Sequence, residues 1–291
     1  MHHYKKYQSI LSPKNGMNIY RGCTHGCIYC DSRSHCYQMQ HDFEDVEVKL
    51  GAKEMLEDAL KRKRKKVMIG TGAMGDPYIP LEAELKHTRG CLEVIEKYGF
   101  GLAIQTKSCL IGRDLDLLKA IHKKSKCVVQ MTLTTYDEAL CKIIEPNVSS
   151  TRERFEILKI LRDEGIPTVV WLNPFLPFIN DTRENLSGLL DMCVTAEVKG
   201  VLCFGIGLTL RAGNREYFYR QLDKHFPTLK KKYEETYGHA YVCNSKNHKS
   251  LMAMLESTCK AHGILYKPKE VFDYLHAYEE KNQEIQMSFW D

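Results

Sequence analysis

A chain of 291 residues, 43% of them apolar, is long enough to bury a substantial core, as one large domain or two small ones. Its formal charge of +5, from 42 basic and 37 acidic residues, leans toward anionic partners but falls short of a nucleic-acid-binding signature. No apolar run approaches the eighteen residues of a membrane span, and the start MHHYKKYQSILSPKNG lacks the apolar segment of a secretory signal, so no membrane partner and a cytoplasmic location are expected.

Twelve cysteines in this length, about 4%, are too few for a disulfide scaffold and fit reduced thiols, a few of them metal ligands. In chain order, short apolar or β-branched runs predict strands at GMNIY (16–20), KVMIG (66–70), GLAIQT (101–106), CVVQMTL (127–133), PTVVWL (167–172) and GVLCFGI (200–206). Between them, three- and four-residue apolar spacing predicts helices at AKEMLEDALKRK, HTRGCLEVIEKYG, RDLDLLKAIHKK, TRERFEILKILRDEG and TRENLSGLLDMCV. Gly165 and Pro167 in DEGIP supply a helix stop and a strand start. The alternation implies a parallel sheet, and six units are two short of a full barrel, so a partial barrel and a doubly wound sheet both satisfy it. After Gly207 the chain reads helical, through EYFYRQLDKHF, LKKKYEETYG and SKNHKSLMAMLESTCKAHG, to a frayed tail ending QMSFWD. The basic run KRKRKK (61–66) closes the first helix, as a solvated helix end or as a phosphate-contacting patch.

The stretch YRGCTHGCIYCDSRSHC follows the first strand and carries Cys23, Cys27 and Cys30, with Cys36 beyond. In either architecture the strands' C-terminal ends hold the active site. C-x3-C-x2-C on a loop brings three thiolates within reach of one iron-sulfur cube, leaving its fourth iron without a protein ligand unless Cys36 supplies one. A closed zinc site would want a second close pair of cysteines, which is missing; a metal-free loop of such thiols would oxidise readily. Gly22 and Gly26 free the backbone to wrap a cofactor, and Tyr29 presents an aromatic ring beside it, to contact an adenine or to shield the cluster from water.

RGCTHGCIYC resembles the cluster-binding motif of the radical S-adenosylmethionine (SAM) enzymes, and GTGAMGDPYIPLE, TRGCLEVI, QTKSCLIGRDLDLL, TLTTYDEALCKIIEP, RERFEILKILRDEGIP and PFLPFIND follow in an order similar to the spore photoproduct lyase-like branch. The resemblance covers roughly residues 16–181. With the chain pattern it makes the expected fold α/β, a partial (β/α)6 TIM-type barrel core over residues 1–206, and the helical pattern after Gly207 adds a helical extension over 207–291 packed on the same domain. The resemblance implies a [4Fe-4S] cluster on Cys23, Cys27 and Cys30 whose open iron holds SAM, reductive cleavage to a 5′-deoxyadenosyl radical, and an electron donor such as flavodoxin or ferredoxin. The SAM contacts it suggests are Tyr29, Gly75, Asp76, Lys107, Thr132, Arg154 and Asn173.

These positions also read physically. Gly75 and Asp76 lie in a glycine-rich turn after the second strand, and Lys107 ends the third strand, where an ammonium can meet a carboxylate. Thr132 and Thr134 end the fourth strand with hydroxyls on one face; Glu145 and Arg154 form either a structural pair or part of the SAM network. Asn173 opens the loop after the fifth strand. In lyases of the branch a hydrogen-donating cysteine sits after the second strand; Ala73 takes that place here, so another donor, for example a tyrosine or Cys109, would be needed. Three functions remain open: radical chemistry on a nucleic-acid lesion or nucleobase, the same chemistry on a peptide or small metabolite, and a non-catalytic iron-sulfur redox sensor. The aromatics Tyr217, Tyr219, Phe226, Tyr233, Tyr237 and Tyr241 either pack the extension's core or close over a substrate.

Overall fold

A computed structural model describes residues 1–281. The QMSFWD tail lies outside the described residues. In chain order the elements are β1 (His2–Lys5), β2 (Gly16–Met17), β3 (Tyr20–Arg21), β4 (Val46–Lys49), α1 (Ala52–Lys61), β5 (Met68–Thr71), α2 (Glu82–Leu85), α3 (His87–Tyr98), β6 (Gly101–Thr106), α4 (Leu115–Lys124) and β7 (Cys127–Thr132). They continue with α5 (Glu138–Ile144), α6 (Thr151–Asp163), β8 (Thr168–Trp171), α7 (Arg183–Thr195), β9 (Gly200–Leu202), β10 (Gly207–Thr209), α8 (Asn214–His225), α9 (Leu229–Tyr237), β11 (Val242–Asn244), α10 (His248–Ala261) and α11 (Pro268–His276).

The main sheet runs β2-β5-β6-β7-β8-β9, all parallel and in sequence order. A doubly wound sheet reverses its order at a switch point, whereas a barrel progresses round without reversal. The fold is therefore α/β with an open, barrel-type sheet of six strands, as expected. Strand alternation sorts its two faces. Ile69, Leu102, Ile104, Val129, Met131, Val170 and Val201 pack with apolar residues of α1, α3, α4, α6, α7 and α10. Met68, Ala103, Val128, Val169 and Leu202 point the other way and meet Val271 and Leu275 of α11.

Helix α11, with Pro268 at its first turn, was missed because only nine residues carry its pattern. It plugs the inner face at the N-terminal end of the strands. Burying Val271 and Leu275 supplies roughly 1.5–3 kcal/mol each. The buried Lys126 fixes its far end, donating from Nζ to the carbonyls of Tyr274 (2.8 Å) and Ala277 (3.2 Å). The inside is thus closed below and open above.

Three expectations change. GMNIY is not one strand: Gly16–Met17 pairs with β5, then the chain turns and Tyr20–Arg21 pairs antiparallel with β4. GVLCFGI stops at Leu202, and Gly207–Thr209 forms an antiparallel pair with β11, inside a region expected to be helical. A three-stranded side sheet, β1-β4-β3, was not foreseen, since its longest strands have four residues. The KRKRKK run ends α1 and leads into β5, at the end of the barrel opposite the strands' C-terminal mouth. Tyr219, Phe226, Tyr233 and Tyr237 pack with Phe218 and Leu222 in a second core under the extension, whereas Tyr217 stacks on Arg33 at 3.7 Å and Tyr241 is exposed and bonded by Arg211. Among the described residues no helix is long and apolar enough to cross a membrane.

Candidate active site

The cysteine loop leaves β3 at the mouth of the sheet. Gly22 adopts φ +93, where a Cβ would meet the Phe43 carbonyl oxygen at 2.6 Å, so the chain can turn there only without a side chain. Cys23 N–H then donates to that same carbonyl (3.0 Å), Ile28 N–H to Ile144 O (3.0 Å), and Asn147 N–H to His25 O (3.1 Å). The loop is clamped between the side sheet and the connection from α5 to α6.

Cys23, Cys27 and Cys30 line one cavity of about 110 Å³, and Gly75, Asp76, Lys107 and Thr132 line the same cavity. The three thiols do not all lie within 4.8 Å of one another. Around tetrahedral zinc at 2.3 Å per bond, sulfurs sit about 3.8 Å apart, which is tighter than this. A cube takes one cysteine per iron and does not require that close approach. Cys36 lies apart on the surface, accepting from Arg211 Nη1 at 3.3 Å, and does not line the cavity. Burial, with Asp76 and Cys30 close by, pushes the Cys23 thiol up to about 12, and burial beside Glu145 raises Cys27 as well. Both are neutral at pH 7 until a metal displaces their protons.

Asp76 is almost enclosed, its side chain 8% exposed. Its Oδ1 accepts from Tyr78 N–H (2.8 Å) and Thr106 Oγ1 (2.6 Å), its Oδ2 from Lys107 N–H (2.7 Å). His25 Nε2 stands 3.2 Å from Oδ2, at an angle too oblique for a hydrogen bond. Burial opposes the charge, but His25, Thr106 and the Lys107 amide outweigh it and hold the carboxyl at about 2. Asp76 thereby fixes the turn that brings Gly75 against the carbonyls of Tyr20 and Gly22.

Lys107 lines both this cavity and a larger neighbour of about 340 Å³. Burial works against its charge, yet Cys27 once it is a thiolate, together with Glu145 and Asp76, prevails and keeps its ammonium above the usual lysine range. Among the described residues those acids pair elsewhere, Asp76 with His25 and Glu145 with Arg154, so the ammonium is free to meet a ligand carboxylate. The Thr132 hydroxyl, buried and without a partner, is a second vacant polar group on the small cavity's wall.

Arg154 lines neither cavity. It is fully buried, and its guanidinium donates to Thr132 O (2.7 Å), Glu145 Oε2 (2.5 Å) and Cys141 Sγ (3.2 Å). These contacts are those of the structural pair with Glu145, one of the two readings of Arg154, and neither cavity's lining supports the expected direct contact with SAM. Glu145 accepts from the Tyr29 hydroxyl, and the Tyr29 side chain lines the larger pocket. The capping box of Ser150 and Glu153 at the start of α6 sets Arg154 on this inward face. Asn173 lines the larger pocket but commits its amide to Gly205 O (3.2 Å) and Phe204 N–H (3.0 Å), holding the loop after β9. Thr134 is buried away from both cavities, and Cys109, whose amide bonds Ser149, borders neither.

Sequence reasoning missed His25, Phe43, Gln105 and Thr106 on the small cavity and Trp171 and Phe204 on the larger one. His25 lies inside the cysteine motif, and Gln105, Thr106 and Trp171 end predicted strands, so proximity to strand ends was a usable signal; Phe43 arrives from the unforeseen side sheet.

An open parallel barrel with a three-thiol cavity at its mouth defines an iron-sulfur barrel enzyme. The family model of the radical SAM superfamily matches residues 17–190. The chain belongs to that superfamily and is an enzyme of the radical SAM class, whose cofactors are a [4Fe-4S] cluster and SAM. The uncharacterized protein Rv2578c of Mycobacterium tuberculosis is 31% identical over 229 residues, 76% of this chain and 66% of its own length. The uncharacterized protein MJ0683 of Methanocaldococcus jannaschii is 34% identical over 174 residues, 60% of this chain and 65% of its own. The chain therefore spans about two thirds of the length of these relatives. A spore photoproduct lyase mutant with bound AdoMet and dinucleoside spore photoproduct superposes with TM-score 0.61 at 14% identity, over 85% of this chain and 74% of that one. The radical S-adenosylmethionine methyltransferase TsrM from Kitasatospora setae does so with TM-score 0.52 at 14% identity, over 72% and 37%. Likeness at that identity establishes the fold.

Proposed function

We propose that the chain abstracts hydrogen from a substrate presenting a flat ring, a nucleobase or a nucleic-acid lesion of compact size, at the barrel mouth. The observation that carries this is the aromatic ledge of the larger pocket: Trp171 and Phe204 lie 5.8 Å apart, and Phe272 stacks on Phe204 at 6.2 Å. Phe204 is 59% exposed, which for a large apolar ring at a cavity edge supports a stacking role. Held by Cys23, Cys27 and Cys30, the cluster with SAM would supply the one-electron chemistry that ends in hydrogen-atom abstraction.

The chain's own residues hold and orient. Cys23, Cys27 and Cys30 ligate the cluster. Lys107 pairs with the SAM carboxylate, and Thr132 offers its vacant hydroxyl to the same cofactor. Tyr29, fixed by Glu145, borders the adenosine side. Among the described residues that line the larger pocket the one cation is Lys107, and Arg211, two residues beyond Thr209 of its wall, is already engaged by Tyr241, Cys36 and Asp31. That supports a compact substrate over an extended duplex, which would want a cationic groove. The same scarcity of cations favours, as a second reading, a peptide or small metabolite bearing an aromatic group.

The reconstituted enzyme with SAM and a flavodoxin or dithionite as reductant should transfer deuterium from a labelled dinucleoside photoproduct or nucleoside into 5′-deoxyadenosine, and Phe204→Ala should raise the substrate KM. Transfer from an aromatic peptide or metabolite alone, with none from the nucleosides, would reject the nucleobase reading.

A further inference from the structure

On the outer side of the cysteine loop, β1 and β4 bring distant parts of the chain together. One ligand atom from each of His3, His41 and Asp45 lies within 4.8 Å of the other two. Two imidazoles and a carboxylate around a tetrahedral ion, with bonds of about 2.0 Å, stand about 3.3 Å apart, a small side-chain adjustment away.

The hydrogen bonds of the two imidazoles show which nitrogen each can offer. His41 Nδ1 is 3.0 Å from the Asp42 carbonyl oxygen. A carbonyl only accepts, so Nδ1 carries the proton of the neutral ring and Nε2 presents a lone pair. That Nε2 is buried, has no hydrogen-bond partner, and faces Glu47 Oε2 at 3.8 Å. His3 is placed differently: its Nδ1 shares a proton with Asp45 Oδ2 at 3.1 Å, so a metal that displaces this proton meets both atoms, while Nε2 faces Glu47 Oε2 at 3.8 Å. For His41, a free lone pair on one nitrogen while the other ring nitrogen is tied to a carbonyl is how histidine is held for a metal.

Glu47 is not itself the available ligand. Its oxygens accept from Lys5 Nζ (3.0 Å) and from the Tyr7 hydroxyl. Asp45 is the carboxylate left over. Two nitrogens and one oxygen beside a lysine suit a nitrogen-seeking divalent ion, and are a poor match for calcium or magnesium, which want several oxygens.

We propose that His3, His41 and Asp45 form a site for a first-row divalent metal of the zinc type, separate from the three-thiol cavity. Its place in the fold gives it a structural task. Between His41 and Asp45 lies Phe43, which lines the three-thiol cavity and whose carbonyl holds the Cys23 amide. A metal on this trio ties β1 to the segment that walls the cluster on one side, and its uptake releases the proton that His3 shares with Asp45.

The test uses the full chain with its cluster in place, so that Cys23, Cys27 and Cys30 are occupied. It is titrated anaerobically with zinc in competition with a chromophoric chelator, beside His41→Ala and the near-isosteric Asp45→Asn. The expected result is one zinc per chain in the wild type, bound at least tenfold more tightly than in either variant, with the cluster absorbance unchanged in all three. Zinc should also raise the melting temperature of the wild type alone. Equal zinc uptake in the wild type and Asp45→Asn, or no uptake by the wild type, would overturn the proposal. Zinc held by other thiols is common to all three proteins and cancels in the comparison.

Discussion

Replacing Arg154 by methionine removes the cation from a fully buried pair and leaves Glu145 charged and enclosed, with the Tyr29 hydroxyl, the Cys141 thiol and the nearby Lys107 ammonium as its remaining company. Both side chains are 0% exposed, so water cannot take over the lost interaction. Breaking a buried pair by removing one partner costs roughly 3–5 kcal/mol. In a chain of this size about 2 °C of Tm accompanies each kcal/mol, so a fall of about 6–10 °C is expected. Arg154 also holds the Thr132 carbonyl at the end of β7, so the damage reaches the cavity wall. The assay is urea unfolding of the wild type, Arg154→Met, Glu145→Gln and the double variant. Because Glu145→Gln removes the stranded charge, the double variant should be more stable than Arg154→Met, a coupling of at least 1 kcal/mol. Additive effects, or a cost below 1 kcal/mol for Arg154→Met, would refute the reasoning that this pair is what holds Tyr29 and Thr132 in place.

Lys107→Met should weaken SAM binding roughly 10- to 100-fold, the worth of one charge-assisted hydrogen bond, while the cluster absorbance stays, as equilibrium dialysis and visible spectra would show. Gly72→Ala should cost about 2 kcal/mol or more, because φ is +99 there and a Cβ would fall on the Gln105 carbonyl oxygen; a denaturation midpoint equal to that of the wild type would contradict this. Burial holds Cys203 at about 11 and Cys259 at about 12, and Cys91, Cys127 and Cys193 higher still. Folded pKa values are raised above the unfolded value near 9, so this contribution is complete below pH 9 and is lost as pH rises toward 11 and 12, by up to about 1.4 kcal/mol per pH unit for each thiol. Unfolding in reductant at pH 8 and at pH 10.5 checks it.

What could be read from the sequence was what local pattern encodes. The strands β5 to β8 are short apolar runs, and their helices have regular apolar stripes, so both appear within a residue or two of their places. The cysteine motif and the strand-end positions Lys107 and Thr132 were legible for the same reason: a parallel sheet sends successive strand ends to one rim. Pairings that depend on distant partners were hidden. β4 is four residues long and takes β1 on one edge and β3 on the other, which no local pattern announces, and Phe43 was missed with it. Whether Arg154 forms a structural pair or joins a SAM network could not be decided from the sequence, because its position marks it only as polar and near the site, while the packing shows that Glu145, Thr132 and Cys141 already use its donors. Asn173 was placed at the mouth, but its engagement by the loop after β9 depends on a contact 31 residues on.

The most direct test of the account is anaerobic reconstitution with iron and sulfide, followed by SAM and dithionite, with iron content and 5′-deoxyadenosine measured on one preparation. The wild type and Cys36→Ala should each hold four irons and form 5′-deoxyadenosine, and alanine at Cys23, Cys27 or Cys30 should abolish both. An intact cluster that yields no 5′-deoxyadenosine, or loss of iron from Cys36→Ala, would contradict a three-thiol, open-iron centre at the mouth of this barrel.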